Sequence, residues 1–383
     1  MRTATSWKYA SGAWTARPSC ERLGGAVDNR DRYLRTLRFE TVDHPPILNS
    51  APWPATLNRW HQEGLPENCS LDEYFGVEPL RLRAVGIETL WFPPFEEKVL
   101  EEDGEFVIKI NSRGVKERNF RDGRSMPEFI EYPIKGPADW EWMDERLDPD
   151  APGRVQPDWE ALARGARERG DIVFCNGGMY FAFLNEHMGT ERLLYLYYDE
   201  PDFIHRVNDR LCSLCERALS MSLAKKAIDY VGYHEDMAFK NGPLISPDMF
   251  TEFMMPYYRR IKKVCGSHGM DIHCMDSDGD IRQLIPLWLE CGINVFAPLE
   301  AAAGMDPVRL RAEYGRQVRM IGGFDKRILA GSPEGIRREL ERLRPVIEEG
   351  GYIPGCDHSI PPDVPFGNYA TFMLGLKTIC GVS

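Results

Sequence analysis

The eight residues from His273 to Asp280, HCMDSDGD, place three aspartates, a thiol and an imidazole at the end of a short apolar run. Asp276 and Asp278 are spaced i, i+2, so in extended backbone their carboxylates point the same way. Like charges held that close need a cation, a proton or water between them, and a divalent metal is the natural occupant. His358 follows the last apolar run of the chain, GYIPG, and would bring a nitrogen to the same place. Two carboxylates and an imidazole with open positions suit Zn, Fe(II), Mn or Mg better than Cu(I). The plainer reading is two solvated aspartates and a loop histidine. Asp280 stands just ahead of the apolar stretch from Ile281, where an aspartate is expected to cap a helix. His273 and Cys274 fall within the run, and alternation sends them to opposite sides.

These residues need a frame. From Asp171 the chain alternates short apolar runs, DIVFCN, YVGYHE, DIHCM, INVFAP, VRMIGG and GYIPG, with longer helical stretches. That alternation reads as βαβ units on a parallel sheet. Ser-Pro pairs in SPDMF and SPEGI mark helix starts. With room for two more strands upstream, the expected fold is a (β/α)8 TIM barrel. A doubly wound sheet fits less well, since no GxGxxG follows an early strand. Helical segments open the domain at NRDRYLRTLRFE and TLNRWHQEG. Between 88 and 134, DG and RG pairs interrupt alternating apolar residues and predict an antiparallel hairpin excursion. Residues 1–27 show no periodicity and read as a loose leader, with one barrel domain over 28–383.

A barrel of this kind carries its active site at the C-terminal ends of its strands. His234, Glu235, Asp236 and, shortly after, Lys240 follow YVGY; Glu300 follows INVFAP; Asp325 and Lys326 follow MIGGF; Asp357 and His358 follow GYIPG. Ionisable groups after five strand ends point to an enzyme. Asp325 with Lys326 reads equally as a local ion pair and as a substrate contact.

Composition bounds the partners. Lys plus Arg is 47 and Asp plus Glu is 59, giving −12. That balance argues against nucleic acid and anionic membranes. The 10 cysteines form no CxxC and no dense framework, and no apolar run spans a bilayer, so a cytoplasmic protein with reduced thiols is expected.

Four segments, EDMAFKNGPLISPDMFTEFMMPYYRR, DSDGDIRQLIPLWLECGINVFAPLE, MIGGFDKRIL and GGYIPGCDHSIPPDVPFGNY, resemble in order and spacing the uroporphyrinogen decarboxylase superfamily, from about Asn29 to Gly381. The resemblance implies a (β/α)8 barrel with a deep cleft, acting on a small molecule, and a homodimer is common in the superfamily. True decarboxylases there carry an Arg-rich segment that grips the porphyrinogen carboxylates. Here the corresponding place reads HPPILNSAPWPATLNRW, with Arg59 alone nearby. The branch of cobamide-dependent methyltransferases binds zinc through His-x-Cys and a later Cys. Asp276, Asp278 and His358 stand at those three positions, so the implied divalent metal, zinc first, would be harder and more Lewis acidic. Such a centre fits demethylation of a methoxylated compound, with the methyl group passed to a corrinoid on a partner protein. In that scheme Glu235 or Asp236 is the general acid or a further ligand, and Lys240 grips an anionic or carbonyl group. Glu300 and Asp325 would contact substrate, with Tyr233 and Phe239, beside Tyr180, Phe181, Phe183 and Phe296, walling an apolar pocket. The rival expectations are a metal-independent porphyrinogen decarboxylase and a ligand-binding barrel without catalysis.

Overall fold

The computed structural model describes residues 28–123 and 125–382; the leader expected over 1–27 lies outside them. In chain order the strands are β1 (Leu82–Ala84), β2 (Lys98–Glu102), β3 (Phe106–Ile110), β4 (Lys116–Phe120), β5 (Glu128–Glu131), β6 (Ile172–Gly178), β7 (Tyr230–His234), β8 (Ala238–Phe239), β9 (Gly242–Pro243), β10 (His273–Asp276), β11 (Val295–Ala297), β12 (Arg319–Ile321) and β13 (Tyr352–Ile353). Seven of them form one parallel sheet in the order β1-β6-β7-β10-β11-β12-β13. Parallel neighbours need a crossover, and helices such as Pro201–Ala224 and Pro333–Glu349 supply it. The eighth place is taken by a segment that makes parallel bridges to the far edge, Leu48 with Gly355 and Pro52 with Ile360. The sheet therefore curls as a (β/α)8 barrel does, and the six runs from Asp171 onward are six of its strands.

Two apolar cores follow from the period of two along each strand. Ile172, Tyr230, Ile272, Cys274, Val295, Ala297, Ile321 and Ile353 point into the barrel, where Tyr33, Leu34 and Leu37 of the helix Asn29–Leu37 pack with them. The lower lumen is thereby filled, and polar side chains are left to the upper layer. The opposite faces of the strands meet the surrounding helices in a larger core that holds Tyr180, Phe181, Phe183 and Phe296, all fully buried. Those four aromatics pack the protein instead of walling a pocket.

The excursion between 88 and 134 is an antiparallel sheet in the order β2-β3-β4-β5. Its outer strands β2 and β5 are exposed throughout, while Val115, in the turn between β3 and β4, is fully buried. Ser246 and Ser332 accept from Met249 N and Gly335 N and so cap the helices expected after them. The helix expected from Ile281 begins at Ile285 instead. Asp280 accepts from the amide and the guanidinium of Arg282 and closes a turn there, not a helix. Among the described residues no helix is long and apolar enough to cross a membrane.

One polar residue of the larger core sets a pH dependence. His187 is buried on the helix Tyr180–Met188 between the rings of Trp91 and Phe183. Burial pushes its pKa down from 6.5 to about 4. It stays neutral in the folded chain while the unfolded chain takes up a proton, so its contribution is full above pH 6.5 and is lost as pH falls towards 4. Urea unfolding between pH 7 and 4 is expected to show a loss on the order of 3 kcal/mol from this group. His187→Gln should flatten the curve by that amount.

Candidate active site at the barrel mouth

The alternation that buries Tyr230 and Ile272 in the lumen carries His234 and Asp276 to the same face, one layer above Gly232 and Cys274. Strands β7 and β10 pair these two in direct register. The ring Nδ1 of His234 lies 3.1 Å from Asp276 Oδ2. Its Nε2 lies 3.5 Å from Glu186 Oε1 and 3.5 Å from Asp236 Oδ2. Burial works against a charged imidazole here, yet Asp236, Asp276 and Glu186 outweigh it and hold the pKa well above that of an ordinary histidine. The carboxyl of Glu186, which burial alone would raise, is held well below the usual carboxylate range by His234 and by Arg113. His234 is therefore a buried cation ringed by carboxylates.

Around it the mouth opens. Asp236 and Asp276 are 22% exposed and Asp278 36% exposed. Asp236 Oδ1 accepts from the amide of Asp278 at 3.3 Å, and Glu300 Oε2 accepts from the amide of Gly279 at 3.0 Å. Across the mouth, His358 Nε2 lies 3.7 Å from Asp278 Oδ2. Burial, then Lys326, lowers the pKa of His358. Beside it the buried Asp357 accepts from the amides of Ala301 and Lys326, and burial raises it to about 6.

The DSDGD stretch divides its labour. Gly279 has φ +82°, and a Cβ there would stand 2.3 Å from the carbonyl oxygen of Ala238, so the hairpin of β8 and β9 closes onto it only because it is glycine. Asp276 turns inward to His234, Asp278 remains at the mouth, and Asp280 grips Arg282. Three arginines near the mouth are engaged with carboxylates of the chain: Arg113 with Glu186, Arg282 with Asp280 and Arg327 with Asp325.

Of the residues expected at the site, the structure brings together Asp236, Asp276, Asp278, Glu300 and His358. Five others go elsewhere. Glu235 follows His234 and therefore faces away from the lumen, where its carboxylate accepts from Tyr180 N at 2.7 Å, Phe181 N at 2.8 Å and Ala182 N at 3.0 Å and from the Tyr258 hydroxyl. It anchors the positive end of the helix Tyr180–Met188 and is not placed as an acid. Tyr233 points outward too, with its hydroxyl on His273 Nδ1 and its ring edge-on to Tyr258. Phe239 and Lys240 are exposed at the tip of the β8 and β9 hairpin. Asp325 caps the helix Lys326–Leu329 and pairs with Arg327.

The three expected metal ligands, Asp276, Asp278 and His358, stand at one mouth. Among the described residues no group of three or more His, Cys, Asp or Glu side chains converges as a metal cage. Asp276 bonds to His234, while Asp278 pairs with His358.

Glu186 and Arg113 had no signal in the sequence, because one lies within a helix and the other in the turn of an inserted sheet. His234 had one: it continues the inward series Tyr230, Gly232, His234.

The uroporphyrinogen decarboxylase (URO-D) family model matches residues 114–378. The chain belongs to that family. Uroporphyrinogen decarboxylase of Chlorobaculum tepidum is 22% identical over 248 residues, which cover 62% of this chain and 68% of that enzyme. The decarboxylase of Alkalilimnicola ehrlichii is 25% identical over 179 residues, and the match spans 45% of its length. Among solved structures, a methyltransferase from Methanosarcina mazei superposes with a TM-score of 0.57 at 16% identity, covering 92% of this chain and 99% of that one. It shares the fold of this URO-D member.

Two measurements follow from the placement of these residues. Glu235→Ala leaves three buried amides and a phenol without their acceptor and is expected to cost about 3 kcal/mol or more in urea unfolding. Glu235→Gln should cost less. Elemental analysis by ICP-MS of protein kept from chelators is expected to find metal well below one ion per chain, unchanged in Asp278→Ala and His358→Ala. A stoichiometric ion lost in both variants would instead place those side chains on one metal.

Proposed function

We propose that this URO-D family member is a methyltransferase-like enzyme that moves a methyl group between a small methoxylated substrate and a corrinoid on a partner protein. The observation that carries the proposal is the charge of the mouth. Asp236, Asp276, Asp278 and Glu300 converge on it, and the neighbouring arginines are spent on carboxylates of the chain itself. Such a mouth repels a porphyrinogen with many carboxylates and admits a small neutral molecule.

The corrinoid would supply the cobalt that takes up the methyl group. The chain supplies the proton that the departing oxygen needs. Asp236 reaches the mouth and backs onto His234 Nε2 at 3.5 Å. A proton passing from His234 through Asp236 to the ether oxygen leaves an alcohol or phenol as the methyl group departs, and the imidazole is recharged from solvent. Asp276 holds the other ring nitrogen and fixes the direction of that transfer. Phe239, 63% exposed at the rim, offers an apolar contact for the partner protein.

A second reading, porphyrinogen decarboxylation, is favoured by the names of the relatives and opposed by the pairing of Arg113, Arg282 and Arg327 with carboxylates of the chain. The two are separated by parallel assays, one with uroporphyrinogen and one with methoxylated aromatic and aliphatic compounds and a reduced corrinoid protein, read by its visible spectrum. Methyl uptake without coproporphyrinogen formation is expected. Asp236→Asn should lower kcat by about 100-fold or more with little change in KM. Formation of coproporphyrinogen by the wild type would overturn the proposal.

A further inference from the structure

Three carboxylates, those of Glu186, Asp236 and Asp276, face one imidazole within 3.5 Å. One imidazolium cannot neutralise three buried or half-buried anions, so a second cation is needed. It comes from outside the barrel. The turn between β3 and β4 delivers Arg113, whose guanidinium closes on the Glu186 oxygen that His234 does not face.

That turn is built to hold one position. Asn111 is buried, accepts from the amides of Arg113 at 3.0 Å and Val115 at 3.1 Å, and donates to Glu117 at 2.8 Å. Gly114, at φ +79°, lies under the ring of Phe95, which a Cβ would approach to 3.0 Å. The outer strands β2 and β5 are exposed, yet the turn packs under Phe95 and is tied to Glu186. Arg113 stands one residue before the stretch matched to the URO-D family, and Glu186 stands within it.

We propose that Arg113 is a positioning residue for the mouth: by holding one oxygen of Glu186 it limits the other to a contact with His234 Nε2 no closer than that of Asp236, so that this nitrogen is shared and still serves Asp236. The assignment rests on the methyl-transfer reading for its consequence in catalysis but not for its geometry. Arg113 touches no substrate and acts through Glu186.

The test compares Arg113→Ala, Arg113→Lys and the double variant Arg113→Ala with Glu186→Gln, each checked for wild-type folding by urea unfolding. The first readout is the Nε2 resonance of His234 in protein labelled with 15N-histidine at pH 7, assigned by its loss in His234→Gln. It needs no substrate. The second is kcat and KM for methyl transfer. Arg113→Ala is expected to move the His234 resonance and lower kcat about tenfold or more with KM held within about twofold. Arg113→Lys should fall between, and Glu186→Gln in the Ala background should restore both readouts, which an anchoring role for the hairpin would not allow. A folded Arg113→Ala protein with an unmoved His234 resonance, or a double variant no better than the single, would overturn the assignment. Wild-type protein without methyl transfer sinks the functional reading alone, because the resonance still judges Arg113.

Discussion

A buried imidazole ringed by carboxylates is the constraint on which the mouth of this barrel depends. His234 sits where water is largely excluded, and there opposite charges attract strongly while unmatched ones are costly. Asp276 comes to it along the neighbouring strand, Asp236 from two residues further along the chain, and Glu186 from the helix that follows β6. Each must be held by something else if the ring is to keep one orientation. Asp236 is tied to the amide of Asp278, and Glu186 to Arg113.

The remaining architecture serves to keep this cluster at the top of the barrel. The helix Asn29–Leu37 fills the lumen from below, so the first layers of inward side chains are apolar and only the last is polar. Glu235, one position from His234, points the other way and draws in the start of the helix that carries Glu186. Adjacent residues at the end of β7 thus secure both sides of the site: His234 within the lumen, Glu235 just after the strand and behind it.

The chemistry suited to such a mouth is set by charge. A family that includes porphyrinogen decarboxylases has in this member a cleft whose carboxylates are presented and whose arginines are neutralised. On the methyl-transfer reading proposed above, the mouth would admit a small uncharged ligand, and the cluster behind it would hold a proton close to where a leaving oxygen forms.

Much of this was legible in the sequence, for physical reasons. Apolar runs of four to six residues separated by capped helices specify parallel strands, and their order specifies the barrel. The rule that the site lies at strand C-termini picked out Asp236, Asp276, Asp278, Glu300 and His358, which the fold brings to one mouth. What pattern could not settle is the direction in which neighbouring side chains point and what meets them there. Alternation separates Glu235 from His234 only once the strand's inward face is known, and that face is set by packing in the lumen. The bond of Asp276 to His234 depends on the register of β7 against β10. Glu186 and Arg113 meet across 73 positions of chain, through an inserted sheet docked on the barrel. Local sequence determined the elements and the chemical types at their ends; tertiary packing alone decided which charges became neighbours.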